Sequence, residues 1–385
     1  MVGWGVLFYA LPVLAPDVSA ETGWSQAGVI GAFSVAQLAM AVVGVVVGRV
    51  LDRAGPRVVM TWGSALAVLS LLGVASATSL WWFFLAWTSV GVAMAAVLYQ
   101  PAFAALTRWY GERRVFALTV LTLAGGLAST VFAPLTAALV GQVGWRRTYL
   151  VLAVVLGVVT IPAHFLGLRL PWTPHGGHDV RHPTSVARSR AFVVLVVAMT
   201  LGAFAVYAVV IAIVPLFAER GLSTSVAAWA IGLAGIGQVL ARLGFGRLVD
   251  RTSARGRTVG ILVGAATTTV LLGLVPGPAV ALVVIAVLSG AVRGVFTLLQ
   301  ATAVSDRWGT RHYGRLSGLL QAPLTVATAV APWVATAVAD RVGGYPVVFA
   351  LLGAAGAVAA VLAVWSVPAT GEPARVTGGV GRPGR

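Results

Sequence analysis

The sequence predicts an all-α membrane protein of twelve transmembrane helices in two pseudo-symmetric six-helix bundles, on three observations. First, hydrophobic side chains make up 59% of the 385 residues and charged ones 9%, with a mean hydropathy of +0.96, too little polar surface for a water-soluble globule. Second, the chain falls into apolar runs that each reach the roughly 20 residues a spanning helix needs. Third, the charged hairpin GRVLDRAGPR (48–57) returns as GRLVDRTSAR (246–255), 198 positions later. The copies match at Gly48 and Gly246, Arg49 and Arg247, Asp52 and Asp250, Arg53 and Arg251, and Arg57 and Arg255. Gly23, Ser25, Gln100, Trp109 and Pro134 likewise recur as Gly221, Ser223, Gln300, Trp308 and Pro332. Parallel repetition on this scale reads as a duplicated bundle, with substrate held between the halves.

In chain order the predicted spans are 1–18, 25–50, 57–78, 80–107, 114–140, 146–169, 190–218, 224–249, 257–275, 278–305, 313–338 and 344–367. They divide into an N-terminal bundle (1–169), a linker (170–189), a C-terminal bundle (190–367) and a tail (368–385) expected to be disordered. Loops after the even-numbered spans, with the tail, carry 20 Arg, whereas the opposite loops carry only Arg146, Arg147, Arg220 and Arg341. That asymmetry predicts both termini and the linker in the cytoplasm, and the membrane is expected to be the plasma membrane. Many of the 46 glycines lie inside spans, as at Gly44, Gly48, Gly235 and Gly237, where they allow helices to approach closely. Pro101, Pro134, Pro215, Pro323 and Pro332 are expected to bend their helices.

Composition also excludes. All 26 basic residues are Arg, and the net charge of +16 is spread over short loops, so no nucleic-acid face is expected. There is no Cys, which removes disulfides and thiolate chemistry. His175, His178 and His182 crowd the linker in a Pro-bearing stretch read as solvated, with no metal site expected. No nucleotide loop or Ser, His and acid set occupies one membrane layer, so no catalytic residues and no cofactor are expected. The N-terminus lacks the basic region and cleavage site of a secretory signal.

Only two Arg fall deep within spans, away from their ends, Arg242 in span 8 and Arg293 in span 10, and all ten acidic residues lie in loops, in the tail or at helix ends. An intramembrane Arg without a protein carboxylate suits an anionic substrate, since its planar fork matches a carboxylate. The competing reading has Arg242 snorkelling toward Asp250 and Arg293 bonding carbonyls at a bend. Helical spacing sets Gln238 beside Arg242, and Thr297 and Gln300 beside Arg293. Gln321 belongs to a polar stripe in span 11 with Ser317, Thr325 and Thr328.

The hairpin, with Gly48, Asp52, Arg53, Gly55 and Arg57 in place and Pro56 where a second basic residue is usual, resembles the loop signature of the major facilitator superfamily. The resemblance implies that fold, alternating access, and a central cavity lined by helices 1, 4, 7 and 10. Tyr9, Tyr99, Gln100 and Tyr207 would then face substrate with Arg293. It also implies a clipped first helix, with a few residues expected before Met1. RWYGERRVFALTVLTLAGG, from Arg108, is similar to the helix-5 signature of monocarboxylate transporters, with Glu112 in place of the usual Lys. Arg242 matches that branch's substrate-linked Arg, and Gln238 replaces an Asp implicated in proton coupling. His164 is read as structural, so a coupling proton would travel with the substrate carboxylate or be absent.

The hairpins are expected to act as a conformational latch. Asp52 would engage neighbouring Arg and a helix N-terminus, where backbone dipoles favour a carboxylate, and Gly246, Asp250, Arg251 and Arg255 would do the same in the second copy. The expected activity is secondary transport, by symport or antiport, of a small organic anion such as a monocarboxylate. The expected protein is monomeric, with the substrate and the lipid bilayer as partners. Efflux of lipophilic compounds and a membrane sensor on the same scaffold are the alternatives.

Overall fold

The computed structural model describes residues 1–172, 183–310 and 312–368. The three linker histidines and the tail from residue 369 lie outside the described residues. Among the latter, helix is the only regular structure. Nine stretches are long and apolar enough to cross a membrane when each of two bent pairs is taken as one, and two of the nine are composite. Gln26–Ala75 holds two spans and Leu80–Gly167 three, which gives α1 (Val2–Thr22), α2 (26–54), α3 (56–75), α4 (80–110), α5 (114–143), α6 (145–167), α7 (Arg190–Glu219), α8 (224–251), α9 (Ala254–Leu274), α10 (Ala279–Trp308), α11 (Tyr313–Val342) and α12 (Tyr345–Ala363).

The composite stretches turn on single glycines. Gly55 (φ 79°, ψ 168°) and Gly144 (φ 74°, ψ 166°) adopt backbone angles essentially reserved for glycine. The first hairpin is therefore not a loop, as its charge suggests; helix continues through Asp52 and reverses at Gly55. The repeated Gly and Ser residues before spans 2 and 8 punctuate helices. Gly23 and Gly221 have φ of 73° and 71°, and the Ser25 and Ser223 hydroxyls accept from the Gly28 and Val226 amides.

Kinks follow local chemistry. Leu98 breaks α4 three residues before Pro101, whose ring has no N–H and crowds the Val97 carbonyl. α8 bends by 47° at Gly244 rather than at a proline, and α11 by 43° across residue 332.

The buried side chains form three interiors. One lies wholly in the N-terminal half, around Leu7, Leu11, Phe83, Trp87 and Trp145, and one wholly in the C-terminal half, around Phe217, Leu282 and Phe349. Both sit toward the Arg-poor end. At the Arg-rich end the halves share a third interior, in which Leu51, Phe103 and Leu118 join Phe296, Leu299 and Leu320.

Clasps at the Arg-poor end stay within a half. Arg146 reaches Glu21 at 3.0 Å and the Ala75 carbonyl at 2.9 Å, while Glu219 accepts from the Tyr345 amide at 3.0 Å and Arg220 donates to the Gly273 carbonyl at 2.7 Å. Hydrogen bonds between halves, among the described residues, lie at mid-depth or toward the Arg-rich end. Among the described residues, the contacts that join the halves thus gather at mid-depth and at the Arg-rich end.

Candidate functional site

The site begins with the contact between α8 and α10. A Cβ added to Gly290 would stand 2.1 Å from the Ala234 carbonyl oxygen, and one on Gly294 would stand 2.2 Å from that of Gln238. Only glycine permits this approach, and it brings Arg293, next to Gly294, within reach of α8. Arg293 Nε donates to Gln238 Oε1 at 2.7 Å. One helical turn beyond Gln238, Arg242 is only 3% exposed and donates from Nη1 to the Thr122 carbonyl of α5 at 2.7 Å, across the boundary between halves. Its Nε is buried without a hydrogen-bond partner.

Three phenols are within electrostatic reach of the pair. Tyr9 of α1 and Tyr207 of α7 interact electrostatically with both guanidiniums, and Tyr99 of α4 with Arg242. Tyr99 is fixed by stacking on Phe103 at 4.8 Å and by Trp4 at 4.7 Å. Its hydroxyl occupies the space beside Gly125, where a Cβ would come within 2.3 Å. The described ion pairs are Arg114 with Asp306, Arg146 with Glu21 and Arg257 with Asp306, so among the described residues no carboxylate pairs with Arg242 or Arg293. A narrow crevice lined by Val206, Val209, Val210, Ile213 and Ile231 ends at Arg293.

Other residues singled out by sequence stand apart. The Thr297 hydroxyl donates to the Arg293 carbonyl of its own helix at 3.1 Å. Gln300, half-buried, lies about 10 Å further along α10 than Arg293, and Gln321 is half-buried on α11. Gln100 donates to the Gly44 carbonyl at 2.8 Å and borders Gly318, which puts it in the seam between α2 and α11. His164 bonds Ser64 Oγ at 2.9 Å between α3 and α6.

That seam seals the Arg-rich end. A Cβ on Gly48 would lie 2.2 Å from the Gly314 carbonyl oxygen, and one on Gly318 would lie 2.9 Å from that of Gly44. Asp52 accepts from the Gly314 amide at 2.9 Å and the Arg315 amide at 2.8 Å, bridging the first turn of α11 with both carboxylate oxygens. The expected helix N-terminus is thus the opposite half's α11. Gly55 packs against Trp172, whose indole donates to the Asp52 carbonyl at 3.2 Å. Arg57 donates to the Phe165 carbonyl at 2.9 Å, and Arg53 is exposed.

The second copy is built differently. Asp250, Arg251 and Arg255 are exposed, and nothing lies within 4 Å of where a Gly246 Cβ would be. Its place in joining the halves is taken by Asp306 at the end of α10, which holds Arg257 of α9 and Arg114 of α5, the latter at 3.1 Å. Sequence reading missed this trio; the signal was an acid at a helix end amid a surplus of Arg.

A family profile described as Major Facilitator Superfamily matches residues 1–319 and 193–383. Monocarboxylate transporter 13 of Rattus norvegicus is 27% identical over 357 residues, covering 91% of this chain and 81% of that protein. An MFS-type transporter of Gibberella moniliformis is 22% identical over 318 residues, 81% of this chain and 75% of its own. Among solved structures, the transporter FucP in its outward conformation superposes with a TM-score of 0.72 at 13% identity, over 96% of this chain and 97% of its own. The human organic anion transporter MFSD10 gives 0.70 at 16% identity, over 94% and 97%.

Proposed function

The chain belongs to the Major Facilitator Superfamily, and on that premise we propose that this multi-pass membrane transporter moves a small organic anion, such as a monocarboxylate, by alternating access. The observation that carries the anion is the pair Arg242 and Arg293, set between the halves with no described carboxylate to offset them. A buried guanidinium is costly unless an anion meets it, and the substrate is the anion that comes and goes. Alternating access is supported by the shared interior at one end and the separate interiors at the other. Parting the Asp52 and glycine seam while closing the opposite end would expose the same site to the other face. The abundance of Arg at the sealed end supports a cytoplasmic seal and a plasma-membrane carrier.

Counterflow in proteoliposomes with a panel of small carboxylates, sugars, amino acids and lipophilic cations tests the reading. Carboxylates should exchange, and Arg242→Gln or Arg293→Gln should abolish exchange while the protein still reaches the membrane. The apolar crevice beside Arg293 favours one second reading, export of lipophilic compounds. In that case lipophilic cations exchange and both Arg substitutions are tolerated.

A further inference from the structure

We infer that the transported anion is a dianion, one negative charge for each of the two guanidiniums, rather than the singly charged monocarboxylate given above as an example. The inference rests on the anion reading above and adds the charge the site asks for. Gln238 joins the two guanidiniums: it accepts from Arg293 Nε at 2.7 Å, and it precedes Arg242 by four residues, about 6 Å of helical rise. Its amide brings no charge. Gln238 therefore orients Arg293 without neutralising it, and the pair presents two positive charges with no described carboxylate in contact.

The hydrogen-bonding capacity of the pair is only partly used. Arg242 commits Nη1 to the Thr122 carbonyl, yet its Nε is buried and unpartnered on a side chain 3% exposed. Arg293 commits Nε to Gln238. Each fork can still receive an oxygen, and a guanidinium binds a carboxylate best through parallel bonds. One carboxylate meets the need of one fork. The second fork calls for a second anionic group, which a short dicarboxylate supplies. A monoanion would leave one cation uncompensated when the halves close and water is expelled, whereas a dianion leaves the closed site neutral.

The test compares malonate, succinate and glutarate with their monomethyl esters on the purified full-length protein, at about pH 7.5, where both carboxylates of each diacid are ionised. Glycerol 3-phosphate is added as a dianion whose charge sits on one group. Binding is read by ligand-induced thermal stabilisation and transport by counterflow. At least one diacid should bind roughly tenfold or more tighter than its half-ester. Arg293→Gln should bring that ratio near one while half-ester binding persists, and Arg293→Lys, which retains the charge, should keep the diacid ahead. Glycerol 3-phosphate outcompeting every diacid would support a dianion and identify phosphate esters as its source. Equal binding of diacid and half-ester by the unaltered protein would overturn the dianion and leave the monoanion standing. If no anion bound to protein that elutes as a single folded species, both readings would fall.

Discussion

At the α2–α11 crossing, Gly44 and Gly48 touch Gly318 and Gly314 backbone to backbone. At the repeat-related crossing of α8 with α5, Arg242 occupies the position equivalent to Gly44, 198 residues on, and spans the gap with a guanidinium bonded to Thr122. Asp52 docks on the facing helix in the first copy; Asp250 is exposed in the second. One ancestral joint has become two devices, a close seam and a berth for a buried cation. The difference shows that repeat symmetry in a sequence predicts where helices cross, but not what the crossing does.

Substitutions in matched pairs sharpen or break this contrast. The largest effect is expected away from both glycine positions, at Asp306, whose side chain and that of Arg257 are only 6% and 3% exposed. Asp306→Ala strands two cations, one of them buried, and should destabilise the protein by about 3–5 kcal/mol, read as thermal unfolding in detergent. Next is the glycine pair. Gly48→Ala drives a methyl into the Gly314 carbonyl, a cost of about 1–3 kcal/mol that should shift the equilibrium toward an open Arg-rich end. Gly246→Ala, facing open space, should behave as the unaltered protein. The chain has no cysteine, so labelling of a single introduced one reads this shift without background.

Asp52→Asn should slow counterflow by about tenfold through loss of charge at the α11 N-terminus, while Asp250→Asn leaves it unchanged. Equal slowing by both would mean that the two crossings share one role. The smallest effects belong to Arg53→Gln and Arg251→Gln, both exposed, for which unchanged counterflow and unfolding are expected. A strong loss at either would show a contact that the present conformation lacks.

Much of this was legible beforehand. The helices, the duplication and the unpaired intramembrane Arg residues follow from composition and spacing, because lipid leaves the backbone few options. Gln238 and Arg242 share a face by their four-residue separation. That Gln238 orients Arg293 was not readable, because it depends on Gly290 and Gly294 choosing α8 as their neighbour, and a glycine in one helix does not identify its partner. The hairpin copies misled in the same way. Both carry Gly, Asp and Arg, but the outcome rests on the facing helix. α11 offers Gly314 and Gly318, whereas the repeat offset of 198 or 199 puts Val115 or Phe116, and Thr119 or Val120, on α5. Gln100, expected in the cavity, was claimed by the same seam.

Because each half keeps a private interior at the Arg-poor end, its cohesion there does not depend on its neighbour. Two polypeptides, one closing at Trp172 and one opening at Pro183, should therefore insert separately, find each other in the bilayer, and rebuild the common interior as a working two-chain carrier.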